Sequence, residues 1–297
     1  MNWKDEIAAR TAQVEQIIQA YLPEEKGYQK HVIEAMNYSM LAGGKRLRPM
    51  FLQEAYRMFG GTGKEAEPFM AAIEMIHTYS LVHDDLPCMD NDEYRRGRKS
   101  TWAQYGEVMA VLAGDGLLTY AFETAAKAFA LSEHPDRVGR AIGILAKKAG
   151  IDGMLGGQTA DIEAEEADSE VTEELLLFIH EYKTAALIQN ALMIGAVLAG
   201  AKEEVIQKME RIGYLIGIAF QIQDDILDVT SSLEVLGKQT GSDEKNNKAT
   251  YVTLKGLEQA VEDQKKLSEE AVGLLASFEQ KNEFLEKLVE QLITREK

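Results

Sequence analysis

Two clusters of acidic side chains could do chemistry in this sequence. The first is Asp84-Asp85-Leu86-Pro87-Cys88-Met89-Asp90-Asn91-Asp92-Glu93, followed at once by Arg95-Arg96-Gly97-Arg98-Lys99. The second is Gln221-Ile222-Gln223-Asp224-Asp225-Ile226-Leu227-Asp228. Each rides on a largely apolar run, where charge is costly unless something binds it. Hard oxygen donors of this kind select Mg2+ or Ca2+. Neither cluster has the alternating ligands and central glycine of a calcium-binding loop. Carboxylates from two helices, with coordination positions left open, suit Mg2+ bridging to phosphate oxygens instead. Further cations lie in Gly43-Gly44-Lys45-Arg46-Leu47-Arg48-Pro49. Lys45 offers a point charge and Arg48 a fork for phosphate oxygens, against the bland reading of a solvated capping loop. The residues alone describe a helical Mg2+ site for one or more diphosphates. No Walker loop or nucleophile triad accompanies it, so the diphosphate serves as a leaving group. Mg2+ takes up charge as a C–O bond breaks, and the cation left behind needs a dry, apolar pocket.

Those side chains need helices to hold them. Strand signals are weak and an all-α fold is expected, with no proline after Pro135 to break the second half. Apolar spacing predicts helices over 7–21, 28–41, 50–59 and from about Pro68 into the first acidic cluster. His77, Ser80 and Asp84 then share one face, although a lone histidine there is more often a core or capping residue. Asp84 and Asp90 would stand about 120° apart on an ideal helix, so a break at Pro87 is expected to bring them to one point. A long helix over 102–131 is expected next, with Gly114-Asp115-Gly116 as a close-packing point. Another covers 137–155, followed by Gly156-Gly157-Gln158-Thr159-Ala160-Asp161, which sets Gln158 and Asp161 at i, i+3. A solvated acidic loop and helix start cover 163–174. An apolar helix over 175–200 carries Lys183 beside Thr184, a lysine that would more commonly snorkel outward. The helix over 203–229 puts Gln221, Asp224 and Asp228 on one face. Two amphipathic helices end the chain.

Composition narrows the class. The net charge of −17 argues against nucleic-acid and anionic-membrane partners, which need a basic face. It leaves an anionic substrate open because the cations are clustered. One cysteine, Cys88, allows no internal disulfide and points to a reducing, cytoplasmic setting. No apolar run reaches membrane-spanning length, so no stable membrane insertion is expected.

The ordered series of motifs resembles the trans-isoprenyl diphosphate synthases, and among them the bacterial farnesyl diphosphate synthases. Gly43 to Pro49 looks like the family's GGKRLRP motif. Asp84 to Asp90 looks like its first aspartate-rich motif, in the form with four intervening residues, and Arg95-Arg96-Gly97 follows. Gly156 to Asp161 is similar to GGQxxD, Lys183-Thr184 to the KT pair, and Phe220 to Asp228 to the second aspartate-rich motif. Lys238, Gly241-Ser242-Asp243 and Lys248 complete the set.

The resemblance implies one polyprenyl synthetase domain over 1–297, a bundle of about ten or more helices around a cavity, and a homodimer. It implies that Lys45, Arg48, His77 and Arg96 hold isopentenyl diphosphate. Asp84, Asp85, Asp90 and Asp224, supported by Asp228, would bind about three Mg2+ ions, or Mn2+, on dimethylallyl or geranyl diphosphate. Arg95, Lys183, Lys238 and Lys248 would grip that allylic diphosphate, with Thr184 and Gln221 turned toward the allylic cation. Tyr79 and Ser80 would form the floor that stops the product at farnesyl diphosphate. Spacing alone does not nominate Tyr79, which falls about 140° from Asp84 on an ideal helix. The nearest alternative is geranylgeranyl diphosphate as product. A terpene cyclase fits less well with the full set of cations. A non-catalytic subunit of a heteromeric prenyltransferase would be expected to lose one acidic cluster. A helical calcium-binding or scaffold protein is the plainest alternative.

Overall fold

The computed structural model describes residues 2–166, 171–230 and 249–293. The expected all-α class holds, and the only strands among the described residues are two of two residues each. Helix α1 spans Trp3–Ala20, α2 Lys30–Met40, α3 Leu47–Met58 and α4 Ala66–Asp84. Strands β1 (Tyr94–Arg95) and β2 (Arg98–Lys99) form a hairpin, followed by α5 (Thr101–Tyr105) and α6 (Glu107–Ala126). Helices α7 (Pro135–Ala149), α8 (Met154–Glu166) and α9 (Glu173–Ile179) come next. A π-helical segment, His180–Ala185, leads into α10 (Ala186–Leu198). The long α11 (Glu203–Thr230) precedes α12 (Tyr251–Lys255), α13 (Leu257–Ala276) and α14 (Glu283–Ile293).

Helix α4 is the axis. It is apolar nearly all round, with Phe69, Ala71, Ala72, Ile73, Met75 and Ile76 fully buried, as befits a helix enclosed by others. It packs on α6 and α3, and more lightly on α1, α10 and α2. Its C-terminal end carries Asp84, half-buried, and next to it Asp85, still buried, to the edge of the core. Pro87 disfavours helix just before itself, and α4 does stop at Asp84. The chain then folds tightly, with Asp90 N–H donating to the Asp84 carbonyl at 2.8 Å and Asn91 N–H to that of Leu86 at 3.0 Å.

Five sequence expectations need correcting. The helix expected over 102–131 breaks at Gly106, whose φ of 85° a side chain would oppose. The helix expected over 137–155 stops at Ala149, and GGQxxD belongs to a separate helix, α8. The helix start expected within 163–174 is present at Glu173, but the loop expected before it is shorter, because α8 continues to Glu166. The helix expected over 175–200 is not uniform: an extra residue per turn enters at His180–Ala185, the local form in which functional sites commonly interrupt helices. A third, short helix, α12, also joins the two expected at the C-terminal end.

Arg46 holds the helices together beneath the site. Its side chain is fully buried, and its φ of 49° is left-handed, a conformation costing a non-glycine residue about 1 kcal/mol. Nη1 binds Glu74 of α4 at 2.8 Å, Nε binds Glu15 of α1 at 2.8 Å, and Nη2 donates to the Met40 carbonyl of α2 at 2.6 Å. Burial opposes its charge, but Glu74 and Glu15 more than offset this and its pKa moves up. Arg46→Met would leave Glu74 buried without its partner. The expected loss is about 3–5 kcal/mol, read as a lower midpoint in urea unfolding.

Candidate active site

The two acidic clusters open onto adjoining hollows. One, of about 480 Å3, runs along α4 and is lined by His77, Tyr79, Ser80 and Asp84, by Met154, Leu155 and Ile162 of α8, and by Lys183 and Thr184. The other, of about 820 Å3, is lined by Lys45, Arg48, Arg95 and Arg96, by Phe220, Gln221 and Asp224 of α11, and by Leu292 of α14. Arg48, His77, Leu81 and Thr184 line both, so the hollows meet along that seam. The expected shared face of His77, Ser80 and Asp84 is present. Tyr79 also lines the hollow despite its angle, as do Leu81 and His83, because the hollow covers a wide arc of this end of α4. It is 7% exposed, and burial and then Asp84 push its phenol upward.

The cationic side is built by strained backbone. Arg96 (φ 52°) and Gly97 (φ 77°) make the two-residue turn between β1 and β2, a turn type that normally prefers asparagine and glycine. Its strands are pinned to α2, with Tyr38 Oη donating to the Lys99 carbonyl at 2.9 Å and the Arg98 guanidinium 3.6 Å over the Tyr38 ring. The turn sends Arg96 back to donate to the Gly43 carbonyl. Gly44, with φ of 139°, leaves room for this, since a Cβ there would lie 2.7 Å from Arg96 Nη1. Of the three cations in the glycine motif, Arg46 is internal, Lys45 is exposed, and Arg48 faces the hollows with its Nε buried and unbonded. Burial lowers the pKa of Arg48. Burial, followed by the repulsion of Arg48, Arg96, Arg95 and Arg46, drives His77 well below its usual value. This is a site short of anions.

On the acidic side, burial raises Asp84 to about 6, with Lys183 pulling back and Asp90 adding to the rise. Asp84 Oδ1 accepts from Gln158 Nε2 at 2.9 Å. Asp85 is buried against Arg95, whose Nε lies 2.7 and 2.9 Å from its two oxygens. Lys183 does not snorkel outward: it pairs with Asp161 inside the site. Asp224 reaches the cationic hollow. Asp90 is exposed and Asp228 half-buried, both outside the lining of either hollow. Among the described residues, no group of three His, Cys, Asp or Glu side chains could hold a metal ion alone. That suits Mg2+, which is commonly held by one or two carboxylates plus substrate phosphates. The incompletely neutralised Asp84 carboxyl is the donor a dication would stabilise. Lys238 and Lys248 lie outside the described residues.

Gln158 and Asp161 were visible as an i, i+3 pair but carried no assigned role. The structure gives them one: from α8 they hold Asp84 and Lys183. Two glycines allow this. A Cβ on Gly157 would lie 2.1 Å from Lys183 N, and one on Gly217 would lie 2.2 Å from Ala185 Cβ, so the π-helical segment is clasped between α8 and α11.

Residues 29–292 match the polyprenyl synthetase family, and the chain belongs to it. It is therefore a prenyltransferase, an enzyme of a Mg2+-dependent family whose substrates are prenyl diphosphates. It is 43% identical over 294 residues to a dimethylallyltranstransferase of Fischerella ambigua (strain UTEX 1903), covering 99% of this chain and 84% of that one. It is 47% identical over 246 residues to a chloroplastic geranylgeranyl pyrophosphate synthase of Catharanthus roseus, covering 83% of this chain and 68% of that one. The structure of a Helicobacter pylori geranyltransferase, complexed with magnesium and isoprenyl diphosphate, superposes with a TM-score of 0.82 at 34% identity, covering 97% of this chain and 95% of that one. No helix among the described residues is long and apolar enough to cross a membrane.

Gly217→Ala should push the π-helical segment off α11. Overpacking of this kind costs about 1–3 kcal/mol, and steady-state assays should show kcat falling further than stability because Lys183 and Thr184 move with the segment.

Proposed function

We propose that this chain joins isopentenyl diphosphate head to tail with dimethylallyl and then geranyl diphosphate, and releases farnesyl diphosphate. The observation that carries the reading is the seam at Arg48, His77, Leu81 and Thr184, where an anion-poor hollow meets an apolar one. A substrate with a charged head and a hydrocarbon tail fits that junction. Lys45, Arg48, His77 and Arg96 hold the diphosphate of the isopentenyl substrate. Arg95, Lys183, Lys238 and Lys248 grip the allylic diphosphate, and Arg95 exchanges Asp85 for it. Asp84, Asp85, Asp90 and Asp224, with Asp228 in support, would hold Mg2+, which would supply charge neutralisation for the departing group. Thr184 and Gln221 present their oxygens to the allylic carbon as its C–O bond breaks and the diphosphate leaves with the electron pair. The isopentenyl double bond closes on that carbon, and the released diphosphate takes the proton that restores a double bond. Met154, Leu155 and Ile162 keep water from the cation.

Tyr79 and Ser80 set the floor. A second reading, geranylgeranyl diphosphate as product, is favoured by the name of the Catharanthus roseus relative. The bulk of Tyr79 beside Asp84 supports the shorter chain. The lone cysteine supports a cytoplasmic setting. Val108, Val111 and Leu112, exposed on one face of α6, support a homodimer, readable as sedimentation at twice the monomer mass.

Incubation with isopentenyl and geranyl diphosphates plus Mg2+ should give farnesyl diphosphate as the main product, and a geranylgeranyl main product would replace this reading with the second. Tyr79→Ala should lengthen the product on chromatography; unchanged length would remove the floor. Asp84→Ala and Asp224→Ala should each lose about 10^2–10^3-fold in kcat with helical circular dichroism retained. Full activity in either would overturn the metal assignment.

A further inference from the structure

The floor residue is itself held by a neighbour that no motif role covers. His83 lies one turn after Tyr79 on α4, and the two rings meet edge to face, 5.9 Å between centroids at 79°. His83 Nε2 lies 3.1 Å from the Val111 carbonyl of α6. A carbonyl can only accept, so Nε2 carries the proton and the ring orientation is fixed by backbone. The ring fits a notch cut for it: a Cβ on Gly114 would lie 2.0 Å from His83 Nε2 and 2.3 Å from its Cδ2. Among residues of this helix pair, Tyr79, His83 and Val111 all line the apolar hollow.

We propose that His83 is a positioning residue for product length. Hydrogen-bonded to α6 in the space left by Gly114, its imidazole fixes the Tyr79 ring across the hollow. Among the described residues the Tyr79 hydroxyl makes no hydrogen bond that could do this instead, so its ring depends on packing, and the imidazole edge is its aromatic support. With the imidazole removed, the phenol ring can turn aside and the growing chain can pass. The inference rests on the reading of Tyr79 as the floor, and its test is built to separate the two.

Product length is measured for the wild type, His83→Ala, His83→Gln, Gly114→Ala and Tyr79→Ala, each with isopentenyl and geranyl diphosphates and Mg2+. His83→Ala should raise the ratio of longer to main product at least about threefold, the scale of one aromatic edge contact. His83→Gln keeps an N–H near the Val111 carbonyl and should return the ratio most of the way. Gly114→Ala evicts the imidazole without altering it, and should also shift the ratio. A merely structural role would lower thermal stability and leave the ratio unmoved. If Tyr79→Ala lengthens the product while His83→Ala and Gly114→Ala do not, the inference fails and the floor stands. If none of them changes length, both fail, and prenyl transfer itself is untouched. Should the histidine variants lose turnover, a crystal structure of His83→Ala decides: a Tyr79 ring still in its wild-type rotamer overturns the inference, and a turned ring supports it.

Discussion

One buried carboxylate, Glu74, makes the cationic hollow possible. It is 2% exposed, binds Arg46 directly, and attracts Arg48 and Arg96 from a greater distance. Without that negative charge in α4, Arg46 would keep only Glu15, and Arg48 and Arg96 would lose the strongest attraction opposing the repulsion among the clustered cations. With it, Arg46 is fully paired while Arg48 and Arg96 are only partly compensated, and burial lowers both. The result is a local deficit of anions in a chain whose net charge is −17. Such a deficit attracts polyanions far more selectively than overall charge would suggest.

The acidic side follows the opposite arrangement. Its charges are provided with neutral or cationic companions. Gln158 holds Asp84, Arg95 holds Asp85, and Lys183 holds Asp161. These contacts keep each side chain aimed. Pre-aimed groups have less rotamer freedom to lose on binding. The backbone permits these contacts only because Gly157 and Gly217 let α8 and α11 close on the π-helical segment. The same device recurs on α6, where Gly114 admits His83 and Gly116 approaches Met36, so the close-packing point read at Gly114-Asp115-Gly116 is real.

Much of the site was readable because helix geometry is local. The spacing of His77, Ser80 and Asp84, and of Gln221 and Asp224, places each set on one wall whatever the rest of the chain does. The break after Asp84 follows from Pro87 for the same reason. The interruption at Gly106 and the extra residue at His180–Ala185 were not readable, because apolar periodicity continues through both. The internal role of Arg46 was hidden as well, since Lys45, Arg46 and Arg48 are equivalent cations until their neighbours are known.

By itself, then, the sequence determined the helical class, the two acidic walls, the clustered cations and the family, all of which depend on residue type and short-range spacing. Tertiary structure decided which cation turns inward, which carboxylate meets arginine, and how Gln158, Asp161 and His83 support the residues that face the hollows. Those outcomes depend on contacts between helices distant in sequence. Pairs such as Arg46 with Glu74, or Gln158 with Asp84, leave no periodic trace in the chain, because the distance between partners is set by packing and not by the pitch of any one helix.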